Sequence, residues 1–236
     1  MKTVVVLQSN YLPWKGYFDL ISDADVFVFY DDIQFTKNDW RNRNKLKTSN
    51  GVDWISVPVG DQIDRHISQV EIKNNFWQEK HWKTIQHNYG KCKYFPLYCT
   101  QFENFYLSRR WTQLSELNQY LIRLISVELL GLTTEFRDSR DYKVSGRKLD
   151  RLIEIVHKTG ATRYISGPAA RDYIDPLRFA DAGIELVWKD YSGYPEYPQR
   201  FPPFEHGVSI LDLLFNVGPN APWYIWGWRE GSSAPE

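Results

Sequence analysis

The chain has 236 residues, of which 25% are charged and 42% hydrophobic, an ordinary composition for a globular protein. Lys and Arg together number 29, as do Asp and Glu, so the formal net charge is zero and no overall positive field would draw the protein to DNA or RNA. The sequence shows neither a secretory signal nor an apolar run long enough to span a membrane, and Cys92 and Cys99 lack the spacing of a metal site, so we expect a cytoplasmic protein with reduced thiols and no membrane insertion.

The first 30 residues predict a strand, a helix and a second strand. Residues 3–7 are a β-branched run typical of a strand buried on both faces. Residues 14–24 carry apolar side chains at helical spacing, and residues 25–30 form the next apolar run. The short connection fits a right-handed crossover between two parallel strands.

The middle of the chain predicts a β-hairpin followed by helices. Residues 43–48 and 53–59 flank Asn50-Gly51, a strong hairpin signal, and the alternation over 67–72 predicts a further strand. Residues 76–89, 96–107 and 111–130 have the periodicity of helices. We therefore expect a helical insertion over roughly residues 74–131.

The last third returns to alternating strands and helices. Strands are predicted at 133–136, 163–166 and 184–188, with helices at 145–157, capped by Ser145, and at 208–215. Repeats of strand, helix and strand predict an α/β fold with a mostly parallel, Rossmann-like sheet, a β-hairpin insertion and a helical middle segment. We expect one domain over residues 1–220 and a C-terminal tail over 221–236, of which the last ten residues, GWREGSSAPE, are expected to be frayed.

Polar side chains follow the first two predicted strands. Gln8, Asn10 and Tyr11 leave the first strand, and Asp31, Asp32 and Gln34 leave the second. Because ligands of open α/β sheets bind outside the carboxyl ends of the strands, these loops predict a binding site.

The two aspartates could supply a general base or help to hold Mg²⁺ beside a phosphate. Adjacent strand residues point to opposite faces, so at most one of them is expected to enter a given site. Turn formation is the alternative role for both. No residue is assigned as a metal ligand, and a requirement for Mg²⁺ stays open.

The loop and hairpin after Asp32 are locally positive. Lys37, Arg41 and Arg43 are suited to holding a diphosphate, and Lys45 and Lys47 follow them. The alternative is a solvated edge hairpin whose lysines prevent aggregation. Ser166 and Gly167 lie where a strand passes into a helical stretch, a second place that could receive an anion.

His206 is the candidate general acid or base among the five histidines, since it precedes the last predicted helix in a loop with Gln199 and Glu205. A surface histidine without a catalytic role is the alternative. The sequence contains no dinucleotide-binding G-x-G-x-x-G, P-loop, G-x-S-x-G, HExxH or CxxC motif, which removes several large enzyme classes.

Several long motifs together resemble the WbqC-like family. They are QSNYLPWKGYF from residue 8, DDIQFTKNDWRNRN from residue 31, GATRYISGPAARDY from residue 160, YPQ from residue 197 and SILDLLFNVG from residue 209. The resemblance covers nearly the whole chain. Ser9 stands where the family pattern most often has proline, which loosens the first turn slightly.

The resemblance implies a cytoplasmic transferase of surface-polysaccharide (O-antigen, lipopolysaccharide) biosynthesis that acts on a nucleotide-linked sugar. The expected reaction is acyl or aminoacyl transfer from a matching donor to an amino sugar. The sugar, donor, nucleotide and oligomeric state are not specified by these motifs. The positions that match the family motifs are Gln8, Tyr11, Trp14, Lys15, Gly16, Tyr17, Asp31, Asp32, Gln34, Lys37, Trp40, Asn42, Arg43, Ser166, Gly167, Pro168, Tyr173, Gln199, Ser209, Asp212 and Asn216.

On this hypothesis Lys37, Arg41 and Arg43 hold phosphates. Tyr11, Trp14 and Trp40 stack on base or sugar, and Asp31 or His206 deprotonates the attacking group. Two alternatives stay open: nucleotidyl transfer, with LPWKGY standing where an H-x-G-H motif would be expected, and a non-catalytic sugar-binding or scaffold protein.

Overall fold

A computed structural model of the protein describes residues 1–74, 76–231 and 233. The strands are β1 (Thr3–Leu7), β2 (Val26–Phe29), β3 (Arg43–Thr48), β4 (Gly51–Ser56), β5 (Glu135–Asp138), β6 (Arg163–Ser166) and β7 (Glu185–Trp188). The α-helices are α1 (Lys15–Ser22), α2 (Phe76–Tyr89), α3 (Phe95–Leu107), α4 (Leu114–Arg123), α5 (Lys148–Lys158), α6 (Pro176–Asp181), α7 (Ile210–Val217) and α8 (Ala221–Ile225). None of the described helices is both long and apolar enough to cross a membrane.

The main sheet has the strand order β5-β2-β1-β6-β7, and each neighbouring pair is parallel. After β1 the chain builds outward through β2 to β5, and it then crosses to the other side of β1 for β6 and β7. The strand order therefore reverses between β1 and β6, which leaves a crevice at the carboxyl ends of these two strands. The predicted Rossmann-like sheet is confirmed, and β3 and β4 form the predicted antiparallel hairpin.

Two apolar layers cover the sheet. Phe27 and Phe29 of β2 face the larger layer, which contains α1, the middle helices α2 to α4, α7 and α8. Val26 and Val28 face the smaller layer, where α5 and α6 pack. A strand that is buried on both faces needs apolar side chains at every position, which is why β2 reads as a continuous apolar run.

Local polar contacts account for two differences from the predicted elements. Residues 67–72 were expected to form a strand, but Ile67–Gln69 is a 3-10 turn, because the side chains of His66 and Gln69 cap each other's backbone. Ser145 is not the N-cap of α5, which begins at Lys148. Instead a side-chain oxygen of Glu154 accepts hydrogen bonds from the backbone of Ser145 and Gly146, at 3.1 and 3.0 Å, and so holds this loop outside the helix.

The predicted tail contributes to the core over residues 221–231. Ile225 of α8 is fully buried, and the guanidinium of Arg229 donates two hydrogen bonds of 2.8 Å to the carboxylate of Asp19 on α1. Asp19 is fully buried and also contacts Lys189 at 2.8 Å and the hydroxyl of Tyr194 at 2.5 Å. This part of the chain is therefore packed against α1 and is not frayed, while residues 232 and 234–236 lie outside the described residues.

A buried polar network joins the hairpin to the middle helices. The hydroxyl of Tyr11 lies 2.9 Å from Nδ1 of His81 and 2.5 Å from the hydroxyl of Tyr106, and His81 also bonds the backbone of Ser56. Burial lowers the pKa of His81 to about 3, although the bond to Ser56 opposes this change. The imidazole is therefore neutral in the folded protein at any pH near neutrality.

His81 should make the folded state sensitive to acid. Below pH 6.5 this side chain binds a proton in the unfolded chain but not in the folded chain, so its contribution to the free energy of unfolding falls by about 1.4 kcal/mol per pH unit. We expect His81→Gln to remove this slope between about pH 6.5 and about pH 5 in urea titrations. His87→Gln, which changes an exposed histidine of the same helix, should leave it in place. If the free energy of unfolding had the same pH dependence in the unchanged protein and in both variants, His81 would not be its source.

The ion pair between Arg229 and Asp19 should stabilise the fold more than an exposed pair of the same geometry. Arg229→Ala leaves a buried carboxylate with fewer partners, and we expect it to lower the free energy of unfolding by about 2 kcal/mol. Arg163→Ala is the matched control, because Arg163 binds exposed Glu185 with two hydrogen bonds, at 2.8 and 3.1 Å, and should cost less than about 1 kcal/mol. Equal losses would show that burial of Asp19 is unimportant.

A crevice at the carboxyl edge of the sheet

The crevice between β1 and β6 is bordered by the loops that leave these strands. On the β1 side lie Gln8 and Asn10, both partly exposed, and the hydroxyl of Tyr17 donates to the carbonyl of Gln8 at 2.9 Å. On the β6 side lies Gly167, which faces the ring of Tyr191. A Cβ atom at Gly167 would sit 3.6 Å from the Tyr191 hydroxyl, at van der Waals distance, so Gly167 lies directly beside this ring.

Arg41 reaches the crevice from the loop that precedes the hairpin. Its backbone is fixed on both sides, since the carbonyl of Trp40 accepts from the backbone of Tyr11 at 2.9 Å and its own carbonyl accepts from the side chain of Asn118 at 2.8 Å. The guanidinium is held loosely: one terminal nitrogen lies 3.5 Å from Asn10 Oδ1 and 3.4 Å from Asp39 Oδ2.

The remaining donors of Arg41 are underused. Nε is buried and has no hydrogen-bond partner among the described residues. The guanidinium interacts electrostatically with Tyr17 and with Tyr173, whose ring is 73% exposed at the edge of the crevice. Because a guanidinium carries five N–H donors, Arg41 retains the capacity to bind an anionic group.

An aromatic wall continues from Tyr191 towards α1. The ring of Trp14 packs edge-on against Tyr191, at a centroid distance of 5.2 Å, and against Tyr194 at 6.0 Å. The indole of Trp14 also lies directly over the backbone of Gly16, and any side chain at this position would overlap it. The close contact with Gly16 therefore fixes the indole ring of Trp14 at the beginning of α1.

Lys15 is buried behind this wall. Its Nζ lies over the rings of Tyr194 and Tyr197, at 4.8 and 5.4 Å from their centroids, and 3.5 Å from the carbonyl of Pro195. Burial lowers the pKa of Lys15 to about 8, although the negative charge of Asp212, with weaker contributions from two other carboxylates, opposes the change. Aromatic faces here take the place of a direct carboxylate partner.

His206 lies next to Lys15 and Phe204. Its ring meets Phe204 edge-on, at a centroid distance of 4.6 Å, and its buried Nδ1 has no hydrogen-bond partner in the described part of the chain. Burial lowers the pKa of His206, and the charge of Lys15 lowers it further, against the opposing charges of Glu196 and Glu205. The imidazole is therefore neutral at pH 7 and can accept a proton.

Gln199 connects the loop that carries these rings to α7. Its amide donates to Asp212 Oδ1 at 2.8 Å and to the carbonyl of Glu205 at 3.1 Å, and its oxygen accepts from the backbone of Glu205 at 2.9 Å. The hydroxyl of Tyr197 donates to the same carboxylate at 2.7 Å. With these bonds made, Gln199 acts as a support for the wall.

Asp31 and Asp32 point to opposite faces of the sheet. Asp31 is fully buried and accepts hydrogen bonds from the backbone of Ser9 at 2.8 Å, from Ser115 at 2.5 Å and from Gln119 at 3.1 Å. Burial raises the pKa of Asp31, and these donors oppose the rise. Asp31 thus ties the β1 loop to α4.

Asp32 faces the other layer. It forms an ion pair with Arg151 of α5 and accepts from Ser139 at 2.5 Å. Both aspartates are therefore bonded to neighbouring elements. Within the described residues, no group of three or more His, Cys, Asp and Glu side chains is placed to hold a metal ion.

The structure separates the predicted cluster of cations. Arg41 lies in the crevice, whereas Lys37 pairs with exposed Asp61. Arg43 covers the ring of Trp54, at 4.1 Å from its centroid, and buried Lys47 donates to the carbonyl of Pro203 at 2.6 Å. Lys45 lies with Arg43 over Trp54, its Nζ 5.4 Å from the ring centroid, so the hairpin keeps these two cations together while Lys37, Arg41 and Lys47 have other partners.

Several other predicted residues lie away from the crevice. Tyr11 is fully buried in its network with His81, so its ring has no surface for stacking. Asn42 is buried and donates to the carbonyl of Val57 at 3.1 Å, while Gln34 is exposed and forms a bridge with His66. Trp40 is 40% exposed and packs on Trp54, at a centroid distance of 5.4 Å, on the hairpin. Ser166, by contrast, ends β6 next to the crevice, where it is buried.

The rings of Tyr191, Tyr194 and Phe204 are not among the predicted site residues. A usable signal was the DYSGYPEYP segment, which places tyrosines at every third position of a Pro-rich loop immediately after β7. No local sequence pattern indicates that Asp19 pairs with Arg229, because 210 residues separate the two.

Comparison with known proteins agrees with the motifs. The model of the WbqC-like protein family matches residues 8–224. A protein of Mycobacterium tuberculosis (strain ATCC 25618 / H37Rv), described as "Uncharacterized protein Rv1507c", is 44% identical over 227 residues, which cover 95% of this chain and 98% of that protein. No solved structure gives a significant match. The chain belongs to the WbqC-like protein family.

Proposed function

We propose that this protein is a transferase that binds a nucleotide-linked sugar in the crevice between β1 and β6 and acts in the synthesis of surface polysaccharides such as O-antigen. The observation that carries the proposal is the guanidinium of Arg41, which lies at the reversal point of the sheet with its donors largely unused. An open α/β sheet binds its ligands at this point, and a nucleotide-linked sugar brings a diphosphate that a guanidinium fork can bind.

The surroundings of Arg41 fit the other parts of such a ligand. Asn10 and Gln8 offer amide groups beside the guanidinium, and the partly exposed rings of Trp14 and Tyr191 offer apolar faces. Sugars and bases both pack on aromatic rings, and amides bond their hydroxyl and carbonyl groups. We expect the diphosphate at Arg41, with sugar or base against the aromatic wall.

The expected reaction is acyl or aminoacyl transfer to an amino sugar. The nitrogen lone pair of the sugar amine forms a bond to the acyl carbon, the bond from that carbon to its carrier breaks, and the amine loses a proton. Neutral His206 would accept this proton, and the buried positive charge of Lys15 would favour the negative charge that develops on the acyl oxygen. In this scheme Asp31 positions the β1 loop and does not act as the base.

Nucleotidyl transfer is a second candidate. It rests on the position of the WKGY segment, which lies at the beginning of α1 beside the crevice. Release of pyrophosphate from a nucleoside triphosphate would identify this reaction. Saturable binding of a sugar nucleotide without any turnover would instead indicate a non-catalytic binding protein.

Arg41 and Arg43 form a matched pair for testing the phosphate site. We expect Arg41→Ala to weaken the binding of a nucleotide-linked amino sugar at least about tenfold, because a charge-assisted pair of hydrogen bonds is lost. Arg43→Ala should bind as the unchanged protein does, since Arg43 packs on Trp54. Isothermal titration calorimetry with a panel of UDP-, dTDP- and GDP-linked amino sugars measures the affinities of both variants. Unchanged affinity in Arg41→Ala would refute the phosphate assignment.

His206 should govern the acidic side of the pH profile of transfer. The lowered pKa of its imidazole means that activity falls only when the pH drops below the ordinary histidine value of 6.5. We expect His206→Gln to lower kcat by about a hundredfold or more and to remove this acidic limb, with substrate affinity retained. His157→Gln, at an exposed histidine, is the control. A His206→Gln enzyme with the original pH profile would exclude His206 as the base.

A further inference from the structure

A second pocket lies outside the crevice, at the end of α7. Its volume is about 370 Å³, within the range of small-ligand sites, and residues from three segments line it. The residues that matter here are Lys91, Lys93, Tyr94, Arg200, Asn216 and Tyr224. None of the side chains that border the crevice takes part, so the two sites are separate.

Three cations converge on this pocket without a carboxylate partner. Lys91, Lys93 and Arg200 form no ion pair with any described residue, and neither Asp nor Glu lines the pocket. Some exposed cations elsewhere on this neutral protein have carboxylate partners, as Arg178 has Asp150 and Arg163 has Glu185, whereas this pocket brings three cations without such partners to one site. Converging charges of one sign repel each other, and a bound anion removes that repulsion.

The pocket wall is fixed by the main chain. The ring of Tyr94 lies against the backbone of Gly218, which has a φ of +59° and no room for a side chain, and the backbone of Tyr94 donates to the carbonyl of Phe215 at 3.1 Å. Nζ of Lys93 lies 4.9 Å from the centroid of this ring. The segment that carries two of the three cations is therefore anchored to the end of α7.

The residues that line the floor of the pocket carry no negative charge, although the buried carboxylate of Asp212 lies close enough to act on Cys92. Burial raises the pKa of the Cys92 thiol to about 11, Arg200 opposes the rise and Asp212 adds to it, so the thiol is neutral at pH 7. Asn216 donates its amide hydrogen to the carbonyl of Asp212 at 2.7 Å. A group with several negative oxygens fits three convergent cations better than a single carboxylate does.

We propose that this pocket binds a phosphate group, either of a free phosphorylated small molecule or of a phospholipid headgroup at a membrane surface. Lys91, Lys93 and Arg200 neutralise its charge. The inference does not depend on the proposed transferase activity, because it uses none of the crevice residues.

The probe for the free ligand is inorganic pyrophosphate, titrated calorimetrically into the full chain. The experiment is done with Arg41→Ala protein, so that the crevice does not contribute. The test variant is K91E/K93E/R200E, and the matched control is K80E/R110E/R147E, which reverses three exposed cations elsewhere that also lack ion pairs with described residues. Thermal unfolding verifies that both variants fold, and K91Q/K93Q/R200Q replaces the test variant if it does not.

For the membrane source, flotation compares vesicles that contain phosphatidylglycerol with vesicles of phosphatidylcholine alone, using the same proteins. We expect the protein to bind pyrophosphate, the anionic vesicles or both, and we expect this binding to weaken with added salt. The affinity should fall at least about tenfold in the test variant and stay unchanged in the control variant. Binding of pyrophosphate identifies a free ligand, and binding only to the anionic vesicles identifies a headgroup. Absence of binding in both arms, or equal loss in test and control variants, would overturn the proposal.

Discussion

The buried carboxylate of Asp19 is the interaction on which one side of the crevice depends. A carboxylate without solvent is unfavourable unless charged and hydrogen-bonded partners surround it. Here the partners come from three places: Lys189 after β7, Tyr194 in the following loop and Arg229 near the C-terminus. Tyr194 in turn packs on Trp14 and covers Lys15, so the position of the aromatic wall follows from how this one charge is satisfied.

Asp31 has the corresponding role on the other side. Its three donors belong to the β1 loop and to α4, so the helical insertion is bonded directly to the edge of the sheet that carries the crevice. Asp19 and Asp31 thus hold the two sides of the crevice. In the proposed mechanism the groups that act on the ligand are Arg41, Lys15 and His206, which suits an anionic substrate and a sugar amine that loses a proton as it is acylated.

The sheet could be predicted from the sequence because each of its first elements is marked by a pattern of neighbouring residues. β1 and β2 are short apolar runs on either side of an amphipathic helix, and parallel strands bring their carboxyl ends to one edge. The polar loops that follow these strands therefore predict a site at this edge. Local patterns do not show that Ser115, which is 84 residues away, encloses Asp31, or that Lys37 and Arg43 have different surroundings from Arg41. Side-chain direction in an irregular loop depends on long-range packing, which no periodicity records.

The bond between Asp19 and Arg229 has a consequence for how the protein is made. A ribosome makes α1 long before it makes Arg229, which follows Asp19 by 210 residues. Domains begin to fold from the N-terminal side during synthesis, but this carboxylate has no guanidinium partner until residue 229 has been made. The full set of bonds that holds the aromatic wall therefore forms late relative to the βαβ unit that it supports.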